Sequence, residues 1–197
     1  MVFLRRFMER FDKYAKISGV NEILRRYFVM NAFDGALTML GIIMGAYMAG
    51  FIYPEIIVKA GIGAGLAMGV SGALGAYMAE KAERSKEMKE LENAMFSNLE
   101  GSLIDRASKV AVVSVAIVDG ISPLIATIIA ILPFILAMKL IISTTIAIIF
   151  SLVLIFIMIF ALGVFLSKVS GERIMLNGSI MVLAGIITLF LILFLRF

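Results

Sequence analysis

Two carboxylates stand where a membrane protein can least afford them without a use. Asp34 precedes the uncharged run Gly35–Pro54, and Asp119 is the one interruption in Val110–Met138. Each falls about eight residues past a membrane boundary, at Tyr27 and at Val110–Ala111, or roughly 12 Å into the bilayer at 1.5 Å per residue. A charge at that depth costs at least ~2.5 kcal/mol on insertion scales, so such groups face a polar path or a partner. A carboxylate there can hold a cation or exchange a proton. It can also simply hydrogen-bond two helices together.

The neighbours of Asp34 favour the path. At 100° per residue, Met30, Asp34, Thr38, Gly41, Gly45 and Met48 share one stripe about 80° wide, while Leu40, Ile43 and Phe51 point elsewhere. The stripe combines a carboxylate, a hydroxyl, two thioethers and bare backbone. Small residues also let helices approach closely, so part of it serves packing. The next span repeats the pattern with Gly61, Gly65, Met68, Gly72, Gly75 and Ala79. Ten of the 17 glycines lie between Gly35 and Gly75, a seam longer than one helix pair needs. That seam is expected near the two-fold axis of a homodimer, and Met68 among the glycines is a candidate soft ligand or a gap-filling side chain. In the third span Asp119, Pro123, Ala126, Ala130 and Pro133 align. Its prolines are expected to kink the helix and free carbonyl oxygens.

A second acidic cluster lies outside the spans. Glu80, Glu83, Glu87 and Glu90 fall on one face, with Met88, Glu92 and Met95 alongside. Carboxylates on one face repel unless a cation gathers them, or unless Glu80–Arg84 and Lys86–Glu90 pairs neutralise them. The donor set limits the ion. With no Cys, His or Trp in the chain, thiolate and imidazole sites and a Ser-His-Asp triad are excluded. A mixed Asp/Glu/Met set suits Fe²⁺ or Mn²⁺. No resident cofactor is expected.

The elements that must position these residues follow from hydropathy. The 197 residues are 62% hydrophobic and 16% charged, with mean hydropathy +1.07, against about 25% charged in soluble domains. Uncharged runs at Gly35–Pro54, Ala60–Ala79, Val110–Met138 (Asp119 apart), Leu140–Ser167 and Ile174–Leu195 each reach the about 20 residues a spanning helix needs. The fold expected is an all-α integral membrane protein with five transmembrane helices. Residues 1–20 read as an interfacial amphipathic helix, placing Phe3, Leu4, Phe7, Met8, Phe11 and Tyr14 between basic residues and ending at Ser18-Gly19. Residues 21–79 carry spans one and two, joined by a tight turn at Tyr53-Pro54. Residues 80–109 form a charged cytoplasmic extension of span two, broken near Gly101, and 110–197 carry spans three to five. Span four, apolar nearly all round, is expected to face lipid. Span five, with Asn177, Gly178, Ser179, Gly185 and Thr188, is expected to face protein in part. Spans 1–2 and 3–4 form a weak candidate repeat through Phe33-Asp34-Gly35 and Val118-Asp119-Gly120.

Charge sets the orientation. Fifteen of the 18 basic residues flank the spans on one side, leaving Lys59, Lys139 and Arg196 for the other. The N-terminus is therefore expected in the cytoplasm and the C-terminus outside. Met1–Ile17 is charged throughout and is not expected to be a cleavable signal. The net charge of +4 needs only a membrane surface, not nucleic acid.

The motifs resemble the vacuolar iron transporter family. Its first span opens with Asp-Gly after a basic lead-in, matched by Arg25-Arg26-Tyr27 through Phe33-Asp34-Gly35-Ala36-Leu37-Thr38. Its second span ends in Ser-x-x-x-Gly-x-Tyr and runs into a charged helix, matched by Ser71 to Tyr77 and Ala79-Glu80-Lys81-Ala82-Glu83. The resemblance implies a homodimer in the cell membrane that exports Fe²⁺ or Mn²⁺ from the cytoplasm in exchange for protons. It makes Asp34 a pore carboxylate and the cytoplasmic Glu and Met residues a capture site. Two features depart from the family. Gly72 stands where the family often has Met, with Met68 one turn away on the same face, and the cytoplasmic segment is short. The competing readings are a non-transporting membrane scaffold and an intramembrane aspartyl protease. The protease motif Gly-x-Gly-Asp is not met, because Asp119 follows Ile117-Val118.

Overall fold

The computed structural model describes residues 14–50, 52–170 and 173–194. It is helical throughout its regular structure: α1 (Val20–Met48), α2 (Pro54–Met95), α3 (Leu103–Met138), α4 (Thr144–Ser170) and α5 (Ile174–Phe194). All five are long and apolar enough to cross a membrane, as the uncharged runs require. The amphipathic pattern of residues 2–17 lies almost wholly outside the described residues.

Local chemistry places the breaks. Residues 14–18 are helical, and Gly19 turns the chain at φ +64 before α1 begins. Pro54 opens α2, where its missing N–H costs nothing. α2 then runs for 42 residues without interruption, so span two and its charged extension are one helix. Its end is a left-handed cap at Phe96 (φ 50), with the Ser97 N–H donating to Glu92 O at 3.2 Å. Gly101 (φ 73) makes the next turn, and the Ser102 hydroxyl caps α3 by accepting the Asp105 N–H at 3.2 Å.

The described residues divide into two compact units: one of those up to Phe28 with Val70–Gly120, and one of those within 29–69 and from Ile121 onward. The first has a small core of Ala15, Val20, Ala76, Ala111 and Val115, with Tyr27 packed on it. The second holds the larger core, including Met39, Leu40, Ile43, Ile131, Phe134, Ile155 and Ile159.

Glycine contacts explain the second unit's packing. A Cβ on Gly35 would lie 2.9 Å from the Pro123 Cα and carbonyl oxygen, so only glycine lets the backbones meet there. Gly61 packs on Met39 and Ile131, and Gly65 on Thr127. α5 is fixed to α4 in the same way. Gly163 abuts the backbone of Asn177 and Gly178, while Gly178 and Gly185 receive Phe160 and Phe156. Of the residues expected to turn span five toward protein, Gly178 and Gly185 form the seat for α4, while Ser179 is exposed and the Thr188 hydroxyl donates to Ala184 O of its own helix at 2.9 Å.

One expectation needs correction. Span four does not face lipid all round. Ala147, Ser151, Ile155 and Ile159 form a fully buried stripe, and the Ser151 hydroxyl donates to Ala130 O at 2.6 Å. Uniform hydropathy concealed which face packs, because lipid and core are equally apolar. The proline-bearing stripe of span three is a packing face as well. Pro123, Ala126, Ala130 and Pro133 are buried, and α3 stays one continuous helix through both prolines.

Candidate functional site

In the second unit, α1 presents opposite faces to core and surroundings. Ala32, Ala36, Met39, Leu40 and Ile43 are buried, whereas Met30, Asp34 and Gly45 are exposed and Thr38, Gly41 and Met48 are half-buried. The predicted stripe therefore points away from the unit's own core. A Cβ added at Gly41, Gly45 or Gly63 would meet nothing within 4 Å. The structure also joins two candidates from different helices. The Thr38 hydroxyl donates to Met68 Sδ at 3.4 Å. One turn before Thr38 on the same stripe stands Asp34. An oxygen and a thioether sulfur thus sit at contact distance beside a carboxylate-bearing turn, a set suited to a borderline dication.

In the first unit, Asp119 is only 4% exposed and turned toward α2. A Cβ on Gly72 would fall 2.6 Å from Asp119 Oδ2, so the missing side chain at Gly72 is what makes room for this carboxylate. Glu80 is also buried, at 8% exposure. Tyr27 hydrogen-bonds it. Its Oε2 lies 3.8 Å from Arg84 Nε. Arg84 reaches Glu87 at 3.8 Å and donates twice to the Ser18 carbonyl at 3.1 Å. It thereby ties the extension of α2 to the turn before α1.

The remaining glutamates are dispersed. Glu83, Glu87 and Glu90 are exposed, and Glu90 pairs with Lys86 at 4.0 Å. Among the described residues no three Asp or Glu side chains converge as a metal cage. Both ion pairs expected from spacing, Glu80–Arg84 and Lys86–Glu90, are present. Sequence reasoning missed three contributors. Arg84 as a clasp and Tyr27 as a partner of Glu80 involve residues far apart in sequence. Gly35 was read with its Asp34 neighbour, although it faces Pro123 a third of a turn away.

Five helices long and apolar enough to cross a membrane, with an exposed carboxylate on the first and a charged extension on the second, define a polytopic membrane protein. The profile of the VIT family matches residues 25–99, which include Asp34, Met68 and all four glutamates. A protein of Methanocaldococcus jannaschii, described as "Uncharacterized protein MJ0645", is 33% identical over 165 residues, covering 80% of each chain. No solved structure matches. The chain belongs to the VIT family, the one its motifs resembled, and so stands among membrane transporters.

Proposed function

We propose that this protein is a homodimeric exporter of Fe²⁺ or Mn²⁺, driven by protons moving the opposite way across the cell membrane. The observation that carries the reading is the exposed Asp34 stripe with its Thr38–Met68 contact. A carboxylate left against lipid at that depth would cost several kcal/mol. A second copy facing the same stripe removes it from lipid and supplies a second Asp34 to one path, as isologous contact requires. The open glycines Gly41, Gly45 and Gly63 allow that close approach. Proton and dication then compete for the same carboxylates, which is the minimal chemistry of exchange. Capture begins at Glu80, Glu83, Glu87 and Glu90 on the cytoplasmic side, and Asp34 and Met68 carry the ion through the membrane. Asp119 lines the protein interior and contributes less.

The test is metal flux into proteoliposomes with a pH gradient. Wild type should move Fe²⁺ or Mn²⁺ with counterflow of protons, and Asp34→Asn should reduce flux to background while the protein stays folded. Near-normal flux in Asp34→Asn removes the carboxylate from the mechanism. Absence of flux in wild type leaves the scaffold reading.

A further inference from the structure

A cavity of about 810 Å³ opens in the first unit between the extension of α2 and the start of α3. Its chemistry changes along its length. Tyr77, Val112 and Val113 line it where the uncharged runs begin, and Lys81, Ser85, Lys89, Ser108 and Lys109 line it farther toward the charged segment. The groove therefore straddles the boundary between hydrocarbon and water. Lys81 is held in place, its Nζ 5.7 Å from the centre of the Tyr77 ring.

Four basic and three acidic residues line the groove, and two of the acids, Glu92 and Asp105, are engaged. Glu92 Oε1 accepts the Leu99 N–H at 2.9 Å. Asp105 Oδ2 accepts the Gly101 N–H at 3.0 Å and Lys109 Nζ at 2.8 Å. Those bonds hold the Asp105 carboxyl below its ordinary range, first through Lys109 and then through Gly101. Arg84 is committed to Glu80, Glu87 and Ser18. Among the described residues no carboxylate stands at ion-pair distance from Lys81 or Lys89. These two ammonium groups, with the Ser85 and Ser108 hydroxyls, are left to meet a ligand.

We propose that this groove binds an anionic phospholipid of the adjacent leaflet, with its phosphate headgroup at Lys81 and Lys89 and its acyl end along Tyr77, Val112 and Val113. A soluble phosphate would use only the basic end, and an apolar ligand only the other. A phospholipid has both parts in the order the groove presents them. Basic residues beside the spans already favour anionic lipid, and the groove converts that general attraction into a site. The proposal goes beyond the transport reading and does not depend on it.

The test is thermal unfolding of the purified chain in detergent with added phosphatidylglycerol, phosphatidylcholine or inorganic phosphate. Phosphatidylglycerol should raise the midpoint of wild type, and the other two should not. Lys81→Gln/Lys89→Gln should lose most of that rise. Lys86→Gln/Lys168→Gln, the same charge change outside the groove, should keep it. A full rise in the groove variant, or an equal rise with phosphatidylcholine or with phosphate, overturns the proposal. A second measurement leaves the lysines intact. The chain has no Trp, so Val113→Trp provides a single reporter. Brominated phosphatidylglycerol should quench it more strongly than brominated phosphatidylcholine, and equal quenching overturns the site.

Discussion

Asp34 and Asp119 are the same residue type at the same expected depth, each followed by a glycine, yet their settings are opposite. Asp34 is exposed, while the glycine beside it is wedged against Pro123. Asp119 is 4% exposed, in room left by Gly72 on another helix. Depth in the bilayer is therefore a poor guide to what a carboxylate does. The angle between the residue and its helix's packed face decides. On α1, Gly35 lies 100° from Asp34, so close packing at one turns the other outward. The candidate repeat accordingly does not yield two equivalent sites.

The contrast is broken most sharply by charge removal. Asp34→Asn should eliminate metal flux, whereas Asp119→Asn should keep a substantial fraction, because its carboxylate is enclosed within the protomer. Equal loss in both, measured in the same proteoliposomes, would make Asp119 a second member of the path.

The next largest effect concerns the open face. Gly45→Leu places a bulky side chain where the protomer leaves space, so the monomer should fold normally. If a second copy covers this stripe, the variant should elute as a monomer in mild detergent and transport poorly. An intact dimer would place the two-fold interface elsewhere.

Stability separates the closed glycines from the open ones. Gly35→Ala must displace backbone at Pro123, and Gly72→Ala must displace the Asp119 carboxylate. Overpacking of this kind costs about 1–3 kcal/mol, with Gly35 the more severe because backbone cannot rotate away. Gly41→Ala meets nothing within the protomer, so it should cost less than either, any loss coming from the second copy proposed to cover this stripe. Thermal unfolding of the three variants checks the order.

The smallest effect is expected at the glutamates. Replacing Glu80, Glu83, Glu87 and Glu90 by Gln should raise the metal concentration for half-maximal flux by about threefold, since the three exposed carboxylates are screened and each worth less than ~1 kcal/mol and Glu80 is already engaged by Tyr27 and Arg84. The maximal rate should change less. Glu80 alone should also loosen the fold, being buried against Tyr27 and Arg84. If the half-maximal concentration does not move for either ion, the cluster serves only the helix.

The sequence by itself determined five spanning helices, their breaks at Gly19 and Gly101, the continuous extension of α2 and two of its ion pairs. These follow from rules that act locally or through the solvent. Lipid demands about 20 apolar residues per helix, glycine permits positive φ, and charges three or four apart on a helix meet. The Asp34 stripe was legible for the same reason, because helical periodicity alone sorts residues onto faces. Only the tertiary structure decided which of those faces are occupied. Gly61 and Gly65 looked like Gly41 and Gly45, but the first pair receives Met39, Ile131 and Thr127 while the second meets nothing. α4 showed no sidedness until Ala147 and Ser151 were seen buried. A membrane core offers no hydropathy difference between lipid and protein neighbours, so contact there is decided by shape, which becomes visible only when the helices are assembled.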